Sequence, residues 1–142
     1  MEIGGKSAPL EVRKSNLIFD DDHLAVTVGV QGRKGLAALD TGALSTDLYQ
    51  ALAAQFPSLM ESGKKESTEV RAVGGAETYE SVIIPELRFE VGGMETVLRP
   101  AHVLLNRASR SYIGNFGMDL LRQARAFKVD FAAMTLELEA SK

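Results

Sequence analysis

The stretch Gly35-Leu36-Ala37-Ala38-Leu39-Asp40-Thr41-Gly42-Ala43 decides how this chain is read: an apolar run ends on an acid, a hydroxyl and a glycine. Just upstream, Leu24-Ala-Val-Thr-Val-Gly-Val30 alternates in the manner of a half-buried strand, and the polar Gln31-Gly32-Arg33-Lys34 separates the two runs. Strand, short polar turn and strand predict a β-hairpin. Its second strand would deliver Asp40 to the end of a sheet, on a turn rather than within a core. Asp-Thr-Gly occurs once in the 142 residues.

Downstream, Ser45 or Thr46 reads as an N-cap, with Asp47 in the first turn of a helix. Leu48, Tyr49, Leu52, Ala53 and Phe56 follow at helical spacing, and Pro57 ends the helix. Ser58 to Glu66 is polar and reads as a loop. Ser67–Val73 and Glu77–Ile84 are strand-like runs around Gly74-Gly75, and Glu86–Val91 and Met94–Leu98 turn at Gly92-Gly93. Glycine pairs suit two-residue turns because both central positions can require positive φ. Pro100–Leu105 reads as one more strand. Tyr112-Ile113-Gly114 leads to Phe116-Gly117-Met118-Asp119-Leu120-Leu121, where a short helix over Met118–Arg125 is expected. Phe127–Phe131 and Met134–Leu138 complete a last hairpin.

The length suits a single domain with a real core. We expect an N-terminal extension over 1–16 and one domain over 17–142. Composition is that of a globular protein, 45% hydrophobic and 25% charged, and the formal charge of −3 gives no reason to expect nucleic acid. No apolar stretch reaches the ~20 residues of a membrane span. Met1–Lys6 lacks the basic and apolar regions of a signal peptide, which leaves the compartment undetermined. With zero cysteines there is no disulfide, thiol nucleophile or thiolate ligand. The two histidines are dispersed, so neither a metal site nor a cofactor is expected.

Three segments, in this order, resemble those of the retropepsin-like aspartic peptidases, the single-lobe relatives of pepsin. They are the Asp40-Thr41-Gly42-Ala43 turn after a hairpin, the glycine-rich Val73-Gly74-Gly75-Ala76, and Tyr112-Ile-Gly-Asn-Phe-Gly-Met-Asp-Leu-Leu121 with the final Phe127-Lys-Val-Asp-Phe131 and Met134-Thr-Leu-Glu-Leu138. The resemblance spans residues 17 to 138. It implies a mostly β, closed-barrel acid-protease fold with two short helices. It also implies an aspartic endopeptidase acting on a polypeptide substrate, with Asp40, Thr41 and Gly42 as catalytic turn and Ala43 as a small apolar floor. Val73, Gly74, Gly75 and Ala76 would form a substrate-covering flap. Gly117-Met118-Asp119 departs from the viral Gly-Arg-Asn/Asp, so the arginine's structural ion pair is missing here.

Peptide hydrolysis without metal or covalent nucleophile needs one group to take a proton from water and another to give one. Two carboxyls held close share a single proton and can do both. One Asp-Thr-Gly per chain therefore implies a homodimer, with Asp40 paired to its symmetry mate. The alternative is a catalytically inactive retropepsin-like module that dimerises or binds peptides, since a fold can outlive its activity. Other acids read more simply. Asp20-Asp21-Asp22-His23 is a solvated turn, Asp119 caps backbone N–H groups, Asp130 belongs to a turn, and His102 is structural.

Overall fold

The computed structural model describes residues 15–105 and 112–141, so most of the expected N-terminal extension (1–14) lies outside the described residues. Twelve strands form along this part of the chain: β1 Leu17–Asp20, β2 His23–Val30, β3 Arg33–Leu39, β4 Asp47–Leu48, β5 Lys64–Ala72, β6 Gly75–Ile84, β7 Leu87–Val91, β8 Met94–Leu98, β9 Ala101–Leu104, β10 Gly114–Phe116, β11 Ala126–Asp130 and β12 Thr135–Glu139. Helix α1 covers Gln50–Gln55, a 3-10 helix Pro57–Ser62, and α2 Met118–Leu121. Ten strands make one sheet in the order β5-β6-β9-β4-β10-β3-β2-β7-β8, with β1 added on β2, and β11 and β12 pair separately.

The alternating runs become the strands expected of them. Leu87, Phe89 and Val91 are buried while Arg88 and Glu90 are exposed, the period-two pattern of a strand with one wet face. Val26, Val28 and Val30 of β2 enter the main core, whereas Ala25 packs on the opposite face with Ala38, Tyr49 and Tyr112. The β2–β3 turn is Gln31-Gly32, both at positive φ, as are Gly92 and Gly93 between β7 and β8. This is the backbone twist that two-residue hairpins favour. Phe116 is fully buried and meets Phe89 edge to face at 4.8 Å, tying β10 to β7. Burying a side chain of that size contributes roughly 2–3 kcal/mol.

Several expectations need correction. The sheet is open, not a closed barrel, with β5 and β8 at the ends of its strand order. At β8 the reason is local: the Gln123 side-chain amide takes both ladder positions of Val97, accepting from its N–H at 2.8 Å and donating to its carbonyl at 2.6 Å. No strand can pair there. Among the described residues three helices form instead of two, because Ser58–Ser62, expected as loop, winds with Pro57 into a 3-10 helix that buries Leu59. β5 then begins at Lys64, its polar residues drawn into the ladder with β6 from Lys64 opposite Ile83 to Ala72 opposite Gly75. That register makes Val73-Gly74 the two-residue turn, one position earlier than the glycine pair suggests. Helix α1 is shorter than expected and its N-cap is Tyr49, with no side-chain cap. Likewise α2 ends at Leu121, not Arg125.

Candidate active site

The Asp40 turn is held by the strand behind it. β10 runs between β3 and β4, parallel to β3 with Asn115 opposite Ala38 and Phe116 opposite Leu39, and antiparallel to β4. Two glycines allow this crossing. A Cβ at Gly114 would come within 2.6 Å of the Asp47 carbonyl oxygen, and one at Gly117 within 2.7 Å of that of Ala43. Both are backbone atoms that cannot swing aside. Asp40 then donates its N–H to the Phe116 carbonyl at 2.9 Å, fixing the residue at the strand end.

The carboxylate of Asp40 is exposed, as the sequence predicts. Gly42 N–H donates to its Oδ1 at 3.0 Å, and Ala43 N–H donates to the Asp40 carbonyl at 3.1 Å. A side-chain carboxylate accepting from the amide two residues on is an Asx turn. It orients the acid, and a Cβ at Gly42 would sit 3.3 Å from Oδ1. Asn115 Nδ2 donates to Oδ2 at 3.3 Å. Each oxygen thus has one neutral donor, and the remaining lone pairs face solvent.

A second network anchors the loop to α2. Thr46 donates its N–H to Asp119 Oδ2 at 2.9 Å and its hydroxyl to Oδ1 at 2.5 Å, and its Oγ1 accepts the Gly117 N–H at 3.0 Å. The N–H groups of Met118 and Asp119 donate to the carbonyls of Ala43 and Leu44 at 2.8 and 3.1 Å. The capping acid therefore serves a different segment from its own helix, and Thr46 is its client, not an N-cap of α1. Gln123 Nε2 adds a bond to the Asp119 carbonyl at 3.2 Å.

Of the residues expected from the sequence, Asp40, Thr41 and Gly42 lie exposed together on one turn, with Ala43 half-buried beside them. Val73, Gly74, Gly75 and Ala76 form the exposed tip of the β5–β6 hairpin. From Ser81 to that tip the hairpin extends about 20 Å. It joins the sheet at β9, three strand positions from β3. Asp130 accepts from the N–H groups of Ala132 and Ala133, confirming a turn acid. His102 is exposed on β9, its outward position set by strand alternation.

Two residues of the turn's surroundings escape sequence reasoning. Asn115 reaches Asp40 only through the parallel β10–β3 register. Leu44 stands 70% exposed immediately after Ala43; an apolar side chain outside the helical spacing that starts at Leu48 was its available signal. A cavity of about 700 Å³ lined by Arg33, Lys34, Glu86, Arg88 and Glu95 opens at the β2–β3 turn. It lies at the far end of β3, about 20 Å from Asp40. There Glu86 takes hydrogen bonds from Arg99 and Arg88, which hold its carboxyl below the usual range, and its partner Arg88 is raised.

Two solved structures share this architecture. One is a retropepsin-like aspartic protease from Rickettsia conorii, with TM-score 0.52 and 21% identity over 82% of this chain and 80% of that one. The other is the retroviral protease-like domain of Ddi1 from Leishmania major, with TM-score 0.54 and 18% identity over 82% and 87%. This chain has the retropepsin-like fold. At such identities the likeness lies in the backbone path. No family model matches the sequence, and no curated protein matches it. No helix among the described residues is long and apolar enough to cross a membrane.

Proposed function

We propose that this retropepsin-like protein is an aspartic endopeptidase acting as a two-fold homodimer. The observation that carries the reading is the Asp40 turn: an exposed carboxylate at a strand end, aimed by the Gly42 amide and backed by the Phe116 carbonyl. Asp40 and its symmetry mate would share one proton across the dimer axis, because two like charges at close range cannot both ionise. The ionised member takes a proton from a water lying between them as that water attacks the scissile carbonyl carbon. The protonated member donates to the carbonyl oxygen, giving a gem-diol; the member that took the water's proton then gives it to the leaving amine as the C–N bond breaks, and a diol hydroxyl returns a proton to its mate as the carbonyl re-forms. Such positioned proton transfer supplies ~10²–10⁴-fold. The resulting titration belongs to the pair, not to either residue.

In this reading Thr41 braces the turn against its mate and Gly42 lets the two backbones approach. Asn115 donates to the outer face of the carboxylate, helping keep the aspartate oriented between turnovers. Ala43 and the exposed Leu44 offer apolar surface to the substrate beside the acid. The hairpin tip at Val73, Gly74, Gly75 and Ala76 would close over an extended peptide, excluding water and adding strand-like hydrogen bonds. No metal or cofactor is required by the chemistry.

The test is cleavage of a diverse peptide mixture read by mass spectrometry, with wild type and Asp40→Asn run side by side at high protein concentration from about pH 4 to 7. Cleavage by wild type that vanishes in Asp40→Asn supports the dyad. Cleavage that persists in the variant refutes it. Silence from a folded, dimeric wild type would assign the protein to the inactive peptide-binding alternative.

A further inference from the structure

The apolar side chains left in solvent are not scattered at random. Phe19 on β1 is 62% exposed and Phe131, in the β11–β12 turn, is 59% exposed, yet their rings stack on each other at 6.1 Å with planes 10° apart. The pair is built, not incidental. Asn16, just before β1, pairs its side-chain amide with both backbone groups of Leu136 on β12, at 2.9 and 2.7 Å. Its N–H and that of Leu17 both donate to the Met134 carbonyl. These bonds hold β1 against the β11–β12 unit and set the two rings side by side.

The register gives this aromatic pair its meaning. Phe19 lies opposite Leu24 on β2, and Ala25 lies opposite Ala38 on β3, so Leu24 is level with Leu39 and His23 with Asp40. Phe19 therefore sits at the catalytic end of the sheet, two strand spacings, or about 10 Å, from the Asp40 turn. Among the described residues β1 pairs with β2 only, and it exposes Ile18 as well as Phe19, so both faces carry an exposed apolar side chain. Beyond Phe19 the chain turns through Asp20, Asp21 and Asp22, which give the patch a charged rim. Aromatic centre and polar rim are the anatomy of a protein interface.

We propose that the Phe19–Phe131 platform is a contact surface for a second copy of this chain. The inference rests on the dyad reading, which requires the two-fold axis to pass beside Asp40. A surface about 10 Å from Asp40, at the same end of the sheet, lies within reach of a standard interface of ~800 Å² per partner centred beside that residue. The second copy is the occupant this reading supplies: what brings Asp40 to its mate brings chain close to Phe19. The platform supplies apolar contact that the turn itself, with only Ala43 and Leu44, provides sparingly.

Sedimentation velocity over a protein dilution series tests this on the full chain, comparing wild type with Phe19→Glu, Phe131→Glu and a control, Lys34→Glu, at the opposite end of β3. Wild type and control are expected to dimerise alike, while each Phe variant raises the dimer Kd by about 30-fold or more, as loss of an interface hot spot does. Circular dichroism checks that each variant is folded; Phe19→Ser and Phe131→Ser replace any that is not. A dimer unchanged in the Phe variants overturns this inference and leaves the dyad standing. An unchanged Kd with a lowered Tm would also overturn it, because the patch would then be covered by its own chain. A wild type that stays monomeric at all concentrations removes the dyad and this inference together.

Discussion

Asp119 joins the Asp40 loop to the rest of the molecule, and removing its carboxylate should be costly for a side chain that is only half-buried. Asp119→Ala deletes two hydrogen bonds, from the Thr46 N–H at 2.9 Å and the Thr46 hydroxyl at 2.5 Å. Bonds to a carboxylate contribute about 1.5–3 kcal/mol each, and partial exposure places these at the lower end. The loss is about 3 kcal/mol. A domain of this size moves by about 3 °C in Tm per kcal/mol, which predicts a fall of about 10 °C. Asp119→Asn keeps an acceptor for the Thr46 N–H and can donate to Oγ1, so about half the loss is expected. Thr46→Val removes the hydroxyl shared by Asp119 and the Gly117 N–H. The double variant Thr46→Val/Asp119→Ala should then be less damaged than the sum of the singles, by ~1 kcal/mol or more. Urea unfolding at neutral pH followed by circular dichroism measures the four variants against wild type. Hydrogen exchange should show faster exchange of the Thr46 amide in Asp119→Ala. A stability within ~0.5 kcal/mol of wild type, or strict additivity with Thr46→Val, would refute the lock.

Two further outcomes test other parts of the structure. Gly117→Ala should cost about 3 kcal/mol by urea unfolding, because its Cβ would press on the Ala43 and Ser45 carbonyl oxygens at 2.7 and 2.9 Å. Gly93→Ala meets nothing within 4 Å and pays only for φ of +83°, about 1 kcal/mol, so reversal of that order would be decisive against the crossing-strand geometry. Glu86, whose carboxyl is held low by Arg99 and Arg88, contributes stability that is present above its ordinary value of 4.5 and is lost as pH falls through its lowered one. The gap in Tm between wild type and Glu86→Gln should therefore be small at neutral pH, as suits an exposed pair, and close as the solution is acidified below 4.5. A gap that widens on acidification contradicts the sign.

The Asp40 hairpin is legible in the sequence because its information is local. The alternation of Leu24–Val30, the polar Gln31–Lys34 and the acid-hydroxyl-glycine end each act over a few residues, and the structure places them as read. The mostly β class and the Gly92-Gly93 hairpin were legible for the same reason. Boundaries set by competition were not. Lys64, Lys65 and Glu66 read as loop because they are polar, but a partner strand already fixed at Val82 and Ile83 extends the ladder through them. Thr46 has the chemistry of an N-cap, and a nearer carboxylate 73 residues away in the chain claims both its hydroxyl and its N–H.

Local sequence suffices to put an exposed aspartate at the end of a strand within a small β-rich domain, since strand period and turn chemistry are properties of neighbouring residues. The tertiary fold settles the rest: that Asn115 reaches the Asp40 carboxylate, that Gln123 stops the sheet at β8, and that Phe19 and Phe131 meet in solvent at the Asp40 end of the sheet. Those pairings join residues far apart in the chain. Each depends on strand register or crossing order, which no local pattern encodes; a register shift of one residue would turn Asn115 or Phe19 to the opposite face.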